Sequence, residues 1–157
     1  MIVWLASYPK SGNTLVRSML SSYFFSKSGE FNQDLIRNIK QFPSAELFEE
    51  LGIDIKNENE VLKNYIKAQE SFNLKKSVQF LKTHSYLFNI YNKYPFTDLN
   101  NSLGVIYIVR DPRNVVTSYS KFASLSTEKI SEIMINQLSL GGNLDAAIGA
   151  SERTKVY

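Results

Sequence analysis

Lysine, serine, glycine and threonine stand together in the segment Tyr-Pro-Lys-Ser-Gly-Asn-Thr, residues 8–14, between an apolar run and a helix-like stretch. A strand, a tight turn and a helix leave unpaired backbone N–H groups at the helix start, where the positive end of the helix dipole lies. Lys10 adds a mobile positive charge, and Ser11 and Thr14 add hydroxyl donors. The segment predicts an anion site, although a helix start capped by Ser11 or Asn13 fits the same residues.

A second cluster, Lys82-Thr83-His84, ends another apolar run. Alternate residues of a strand share a face, so we expect Lys82 and His84 on one side and Thr83 on the other. A neutral imidazole can take a proton from a hydroxyl or an amine at neutral pH, and the positive lysine helps to keep it neutral. A single histidine is more often structural than catalytic, so this cluster alone does not establish catalysis.

A third cluster follows the apolar run at residues 105–109. Arg110 leaves the carboxyl end of a predicted strand, where its planar guanidinium can clamp a phosphate through two hydrogen bonds. Asn114 and Ser118 lie one helical turn apart and could face the same ligand. The alternative is a capped helix with surface arginines, in which Asp111 pairs with a neighbouring arginine.

The pattern of apolar residues predicts the elements that position these clusters. Buried strands are expected at residues 2–7, 78–83 and 105–109. Helical segments are expected after residue 14 and at 45–51, 60–72, 111–124 and 127–140, with a short helix followed by a loop within 86–101. The first helix would carry one apolar stripe formed by Leu15, Val16, Met19, Leu20, Tyr23 and Phe24. Alternating strands and helices indicate an α/β domain around a parallel sheet, with ligands beyond the carboxyl ends of the strands.

Composition limits the classes of protein to which the chain can belong. Its 157 residues, 43% of them hydrophobic, suit a single domain over 1–157, within which residues 29–76 form a helical insertion or cover. The net charge of +3 without a basic stripe argues against nucleic-acid binding. With no cysteine and one histidine, no metal site is expected. No apolar run reaches membrane-spanning length and the start lacks a signal leader, so a cytoplasmic location is expected.

Together the three clusters resemble the motifs of sulfotransferases that use 3′-phosphoadenosine 5′-phosphosulfate (PAPS). The family motif Tyr-Pro-Lys-Ser-Gly-Thr-Thr-Trp is similar to residues 8–15, Lys-Thr-His is found at 82–84, and an arginine-then-serine element is similar to 110–119. The resemblance implies a three-layer, P-loop-like α/β fold with a central parallel sheet flanked by helices. Nothing matches the family's later basic, glycine-containing segment, so the chain resembles the amino-terminal part of such an enzyme.

The resemblance also implies roles for individual residues. The 5′-phosphosulfate end of the donor would be held by Lys10, Ser11, Gly12, Asn13 and Thr14, and the 3′-phosphate by Arg110 and Ser118. His84 would be the general base, Lys82 would steady the sulfonyl oxygens, and Lys10 would neutralise the departing phosphate. The products would be a sulfonated acceptor and adenosine 3′,5′-bisphosphate, with no metal required.

Two departures from the family pattern and two alternative functions accompany this interpretation. Leu15 stands where the family often has a tryptophan associated with adenine stacking, and Asn13 stands where it has threonine. The acceptor, a small molecule or a carbohydrate, and the oligomeric state cannot be read from the sequence.

A P-loop kinase or nucleoside triphosphatase would need a magnesium-binding aspartate where the chain has Arg110. A non-catalytic nucleotide-binding domain is the other alternative.

Overall fold

A parallel sheet of four strands forms the centre of the protein, in a computed structural model that describes residues 1–74, 77–85, 87, 89 and 93–135. The strands are β1 (Ile2–Ser7), β2 (Lys40–Gln41), β3 (Gln79–Thr83) and β4 (Ser102–Ile108). They lie in the order β2-β3-β1-β4, and all three pairings are parallel. Helices flank the sheet, which confirms the predicted α/β fold.

The helices follow the predicted order with some changes in their limits. They are α1 (Asn13–Phe25), α2 (Ala45–Glu50), α3 (Glu58–Lys63), α4 (Tyr65–Asn73), α5 (Pro112–Ala123) and α6 (Thr127–Ile135). The single helix predicted at 60–72 is divided at Asn64, whose side chain and backbone N–H both donate to the carbonyl of Glu60. The end of the last predicted helix, residues 136–140, lies outside the described residues.

One face of the sheet packs against an aromatic core. Trp4 of β1 contacts the rings of Phe42 and Phe96, with centroids 5.7 and 4.9 Å away. Phe42 in turn contacts Phe48 and Tyr65, and all of these rings are buried. Since Phe42, Phe48 and Tyr65 come from segment 29–76, that segment supplies one wall of the core, and its strand β2, which the sequence did not predict, extends the sheet.

The apolar stripe predicted on α1 does not face the core. Leu15, Met19 and Tyr23 are 66%, 64% and 79% exposed. The buried residues of the helix are instead Asn13 and Ser21, and the Asn13 side chain donates a hydrogen bond to the Leu5 carbonyl of β1. Apolar periodicity alone could not reveal this contact.

Helix α5 begins as predicted. The Asp111 side chain caps it by accepting a 2.9 Å hydrogen bond from the N–H of Arg113, and Pro112 occupies the first helical position. Val115 and Tyr119 of this helix are buried, and Tyr119 packs with α6, whereas Phe122 is more than half exposed. The cap fixes where strand β4 ends and where the chain turns, and therefore where Arg110 stands.

The aromatic core gives a prediction about stability. Phe42→Ala should lower the free energy of unfolding by about 3–5 kcal/mol, because it opens a cavity among rings that cannot collapse together. Leu15→Ala, on the exposed side of α1, should change it by less than about 0.5 kcal/mol. Guanidinium unfolding curves measure both values. Similar losses in the two variants would contradict the described packing.

Candidate functional site

The register of the sheet brings His84 to the end of β1. Strands β1 and β3 pair in parallel with Ala6 opposite Thr83, so the next residues, Ser7 and His84, are neighbours on one face. The His84 ring nitrogen Nδ1 lies 2.7 Å from the Ser7 carbonyl oxygen and 3.2 Å from Ser7 Oγ. The Lys82-Thr83-His84 cluster therefore contacts β1, the strand that leads into the loop at residues 8–14.

These contacts define the protonation of His84. A carbonyl oxygen only accepts hydrogen bonds, so Nδ1 carries the ring hydrogen and Nε2 keeps its lone pair. Burial lowers the pKa of His84 to about 4, with the positive charge of Lys82 as the next cause and a smaller effect from Arg17, while the hydrogen bond to Ser7 acts in the opposite direction. The imidazole is therefore neutral at physiological pH, and its basic nitrogen is Nε2.

Lys82 is held by strand β2. Its Nζ donates a 3.0 Å hydrogen bond to Gln41 Oε1, and the two residues are opposite each other in the β2–β3 pairing. The pKa of Lys82 is lowered to about 8, mainly by burial and to a smaller extent by the positive charges of Arg17 and Lys10. Gln41 lies in a polar segment with no motif, so it could not be predicted as a partner of Lys82.

The loop before α1 has an unusual backbone and an open helix start. Lys10 and Gly12 have φ angles of 66° and 110°, both in the left-handed range. For Lys10, which has a side chain, this conformation costs about 1–2 kcal/mol. Non-glycine residues with such backbone angles concentrate at functional sites. Gly12 is the N-cap and no side chain caps the helix, so the capping alternative for Ser11 or Asn13 is not observed.

The backbone N–H groups at the start of α1 are available to a ligand. The N–H of Ser11 closes the turn onto the Tyr8 carbonyl at 3.2 Å. The N–H groups of Gly12, Asn13 and Thr14 have no hydrogen-bond acceptor among the described residues. Unpaired N–H groups at the positive end of a helix dipole are the features that bind anions at helix starts.

Arg110 joins the third cluster to this loop. Its guanidinium donates a 3.2 Å hydrogen bond to the Lys10 carbonyl, and the Lys10 amine lies 4.1 Å from the centre of the Phe122 ring on α5. Asp111 pairs with Arg113 at 2.6 Å, so it does not neutralise Arg110. Arg110 has no carboxylate partner within the described part of the chain.

Ser118 is not brought into contact with these groups. It is half-buried on α5, about 9 Å along the helix axis from Pro112. Its side-chain hydroxyl makes no hydrogen bond to any other described residue, and Asn114, one turn earlier, is exposed. The second cluster thus contacts Ser7 through His84, and the third contacts the Lys10 carbonyl through Arg110. Ser118 lies outside these contacts.

Arg17 is a charged residue of the site that motif reasoning missed. It lies one turn after Asn13 on α1 and donates hydrogen bonds to the carbonyls of Ile36 and Ile39. Burial lowers its pKa, and its charge acts on both Lys82 and His84. Lys10, Arg17 and Lys82 form no ion pair with any described carboxylate. Such unpaired positive charge favours an anionic ligand.

Comparison with known families matches residues 2–144 of the chain to the sulfotransferase domain. The chain belongs to the sulfotransferase family. Searches among curated proteins and among solved structures returned no match. Within the described residues, no helix is long and apolar enough to cross a membrane, and no three His, Cys, Asp or Glu side chains are grouped to hold a metal ion.

The environment of His84 gives a prediction that does not depend on a ligand. Since it is the only histidine, proton NMR can follow its titration without ambiguity. The midpoint should lie near the value of about 4 that burial and Lys82 impose, well below the ordinary 6.5. Lys82→Met should raise the midpoint because it removes a like charge. A wild-type midpoint near 6.5 would contradict a buried imidazole.

Proposed function

We propose that this protein transfers a sulfonyl group from PAPS to a hydroxyl or amine acceptor. The observation that carries the proposal is that three groups follow the carboxyl ends of the three neighbouring parallel strands β3, β1 and β4. These groups are the open start of α1, the imidazole of His84 and the guanidinium of Arg110. Membership of the sulfotransferase family supports the class of reaction.

The residues present suit a donor that carries several negative charges. The 5′-phosphosulfate end would be held by the N–H groups of Gly12, Asn13 and Thr14, by the Ser11 hydroxyl and by the Lys10 amine. The 3′-phosphate would be held by Arg110, which lacks a carboxylate partner among the described residues, and by Ser118. When bound, PAPS supplies the sulfonyl group. The cationic surroundings of Lys82 and Arg17 favour its charge.

His84 would remove the proton of the acceptor. Its Nε2 lone pair is the basic atom, and the Nδ1–H bond to the Ser7 carbonyl strengthens as the ring becomes positive. An imidazole with a pKa of about 4 is a weak base, because burial and cations oppose its charge. The negative charge of a bound donor would offset Lys82 and Arg17 and so raise the pKa of His84 when the base is needed.

Other parts of the interpretation rest on the sequence alone. The acceptor class, a small molecule or a carbohydrate, and the cytoplasmic location stay predictions. No specific observation favours a kinase or nucleoside triphosphatase, since the aspartate nearest to the strand end, Asp111, caps α5 and pairs with Arg113.

Donor binding is tested with the product nucleotide. Arg110→Ala should raise the Kd of adenosine 3′,5′-bisphosphate on the order of tenfold or more, the worth of a charged hydrogen bond. Arg37→Ala is the matched control, because Arg37 is a highly exposed arginine that lies outside the three clusters. Isothermal titration calorimetry measures both. An unchanged Kd in Arg110→Ala, or an equal change in the control, would remove Arg110 from the site.

Proton transfer is tested at His84. His84→Ala should slow sulfonyl transfer by about 10²–10⁴-fold, the usual contribution of a general base, and leave the Kd of adenosine 3′,5′-bisphosphate nearly unchanged. Transfer is measured with ³⁵S-labelled PAPS and a panel of phenols, sugars and amines. If the variant keeps the wild-type rate with any acceptor, another group is the base.

A further inference from the structure

We infer that the side chain of Asn13 is a positioning residue for His84 and that it acts through the hydroxyl of Ser7. The inference rests on the proposed role of His84 as the base. The resemblance to PAPS-dependent enzymes implied only that Asn13 contacts the donor. The packing of its amide points to a different use for the side chain, while its backbone N–H still faces the donor site.

The Asn13 amide is turned into the protein. The residue is 5% exposed, and its Nδ2 donates to the Leu5 carbonyl at 2.9 Å and to Ser7 Oγ at 3.1 Å. Leu5 and Ser7 lie on the same face of β1, the face on which His84 neighbours Ser7. One side chain at the first position of α1 therefore reaches across the end of the strand toward the imidazole.

The Ser7 hydroxyl is the link between the two residues. Its oxygen accepts from Asn13 on one side and lies 3.2 Å from Nδ1 of His84 on the other. Nδ1 carries the hydrogen, since it also contacts the Ser7 carbonyl at 2.7 Å, so the hydroxyl oxygen is a second acceptor for the same N–H. Asn13 holds the serine in the rotamer that provides this second acceptor.

Asparagine suits this task better than the threonine of the family motif. A threonine hydroxyl has one hydrogen to donate, whereas an amide NH₂ has two and here gives one to each of two acceptors. The amide oxygen Oδ1, by contrast, is buried without a hydrogen-bond partner among the described residues. A buried oxygen without a hydrogen bond lowers the stability of the fold. The two hydrogen bonds that the amide donates are therefore what this position requires.

The arrangement keeps the basic nitrogen of His84 available. Two oxygens at Nδ1 favour the tautomer with its hydrogen there, so that the Nε2 lone pair is available to take the acceptor proton. The same oxygens stabilise the imidazolium after it has received that proton. Both are neutral, so the ring is oriented without a carboxylate that would compete with the donor for Lys82 and Arg17.

The test compares Asn13→Ala, Ser7→Ala and the double variant with wild type, and uses Ser18→Ala on the same helix as the control. Nitrogen-15 NMR of the single histidine reports its tautomer in the protein without ligand. Asn13→Ala and Ser7→Ala should each shift the tautomer ratio about fivefold toward Nε2–H, the equivalent of one hydrogen bond. Ser18→Ala, which loses only a bond to the Thr14 carbonyl, should not.

Rates and affinities complete the test. Each single variant should lower kcat for sulfonyl transfer on the order of tenfold, with the Kd of adenosine 3′,5′-bisphosphate within about twofold of wild type. The double variant should be no slower than Ser7→Ala, because both changes break one chain of contacts. The inference would be overturned if the kcat losses of the two single variants multiplied in the double variant. It would also be overturned if folded Asn13→Ala kept the wild-type tautomer ratio of His84, whether or not its Kd was raised.

The same experiment separates the inference from the proposed function. If wild type transfers no sulfonyl group to any acceptor, the proposed function fails, but the tautomer ratios still decide whether Asn13 orients His84. If Asn13→Ala does not fold, the tautomer ratio of His84 in Ser7→Ala tests the inference. That variant keeps the carbonyl of residue 7 and the hydrogen bond from Asn13 to Leu5, and it removes only the linking hydroxyl.

Discussion

The parallel register between β1 and β3 is the constraint on which the site depends. Pairing of Ala6 with Thr83 places Ser7 beside His84, and a slip of one residue would move His84 to the face that carries Trp4. That face packs into the aromatic core, so the register is fixed by burial of rings far from any chemistry. The core therefore determines stability and, through the register, the geometry of the base.

Charge is the second organising feature. Lys10, Arg17 and Lys82 have no carboxylate partners among the described residues. Lys10 and Arg17 help to lower the pKa of Lys82, and Lys82 and Arg17 help to lower the pKa of the neutral His84. The protein without ligand bears the electrostatic cost of keeping these cations together. A highly charged anion relieves that cost, so binding of the donor and activation of the base are coupled through the same field.

Strong local signals made much of this arrangement predictable. The pattern of apolar residues located three of the strands and helix α5. Features that depend on contacts distant in sequence were not predictable. Strand β2 is only two residues long and supplies Gln41, and the inward turn of Asn13 depends on acceptors in β1. Periodicity located the apolar side of α1 but could not show that this side is exposed while Asn13 is buried.

Calorimetric comparison of adenosine 3′,5′-bisphosphate with adenosine 5′-monophosphate and with magnesium ATP, on the wild-type protein, is the most direct measurement. A site with one phosphate at the start of α1 and another at Arg110 should bind the bisphosphate on the order of tenfold or more tighter than either competitor. Equal Kd values for the monophosphate and the bisphosphate would show that Arg110 does not bind the 3′-phosphate. Tighter binding of magnesium ATP would contradict a PAPS site.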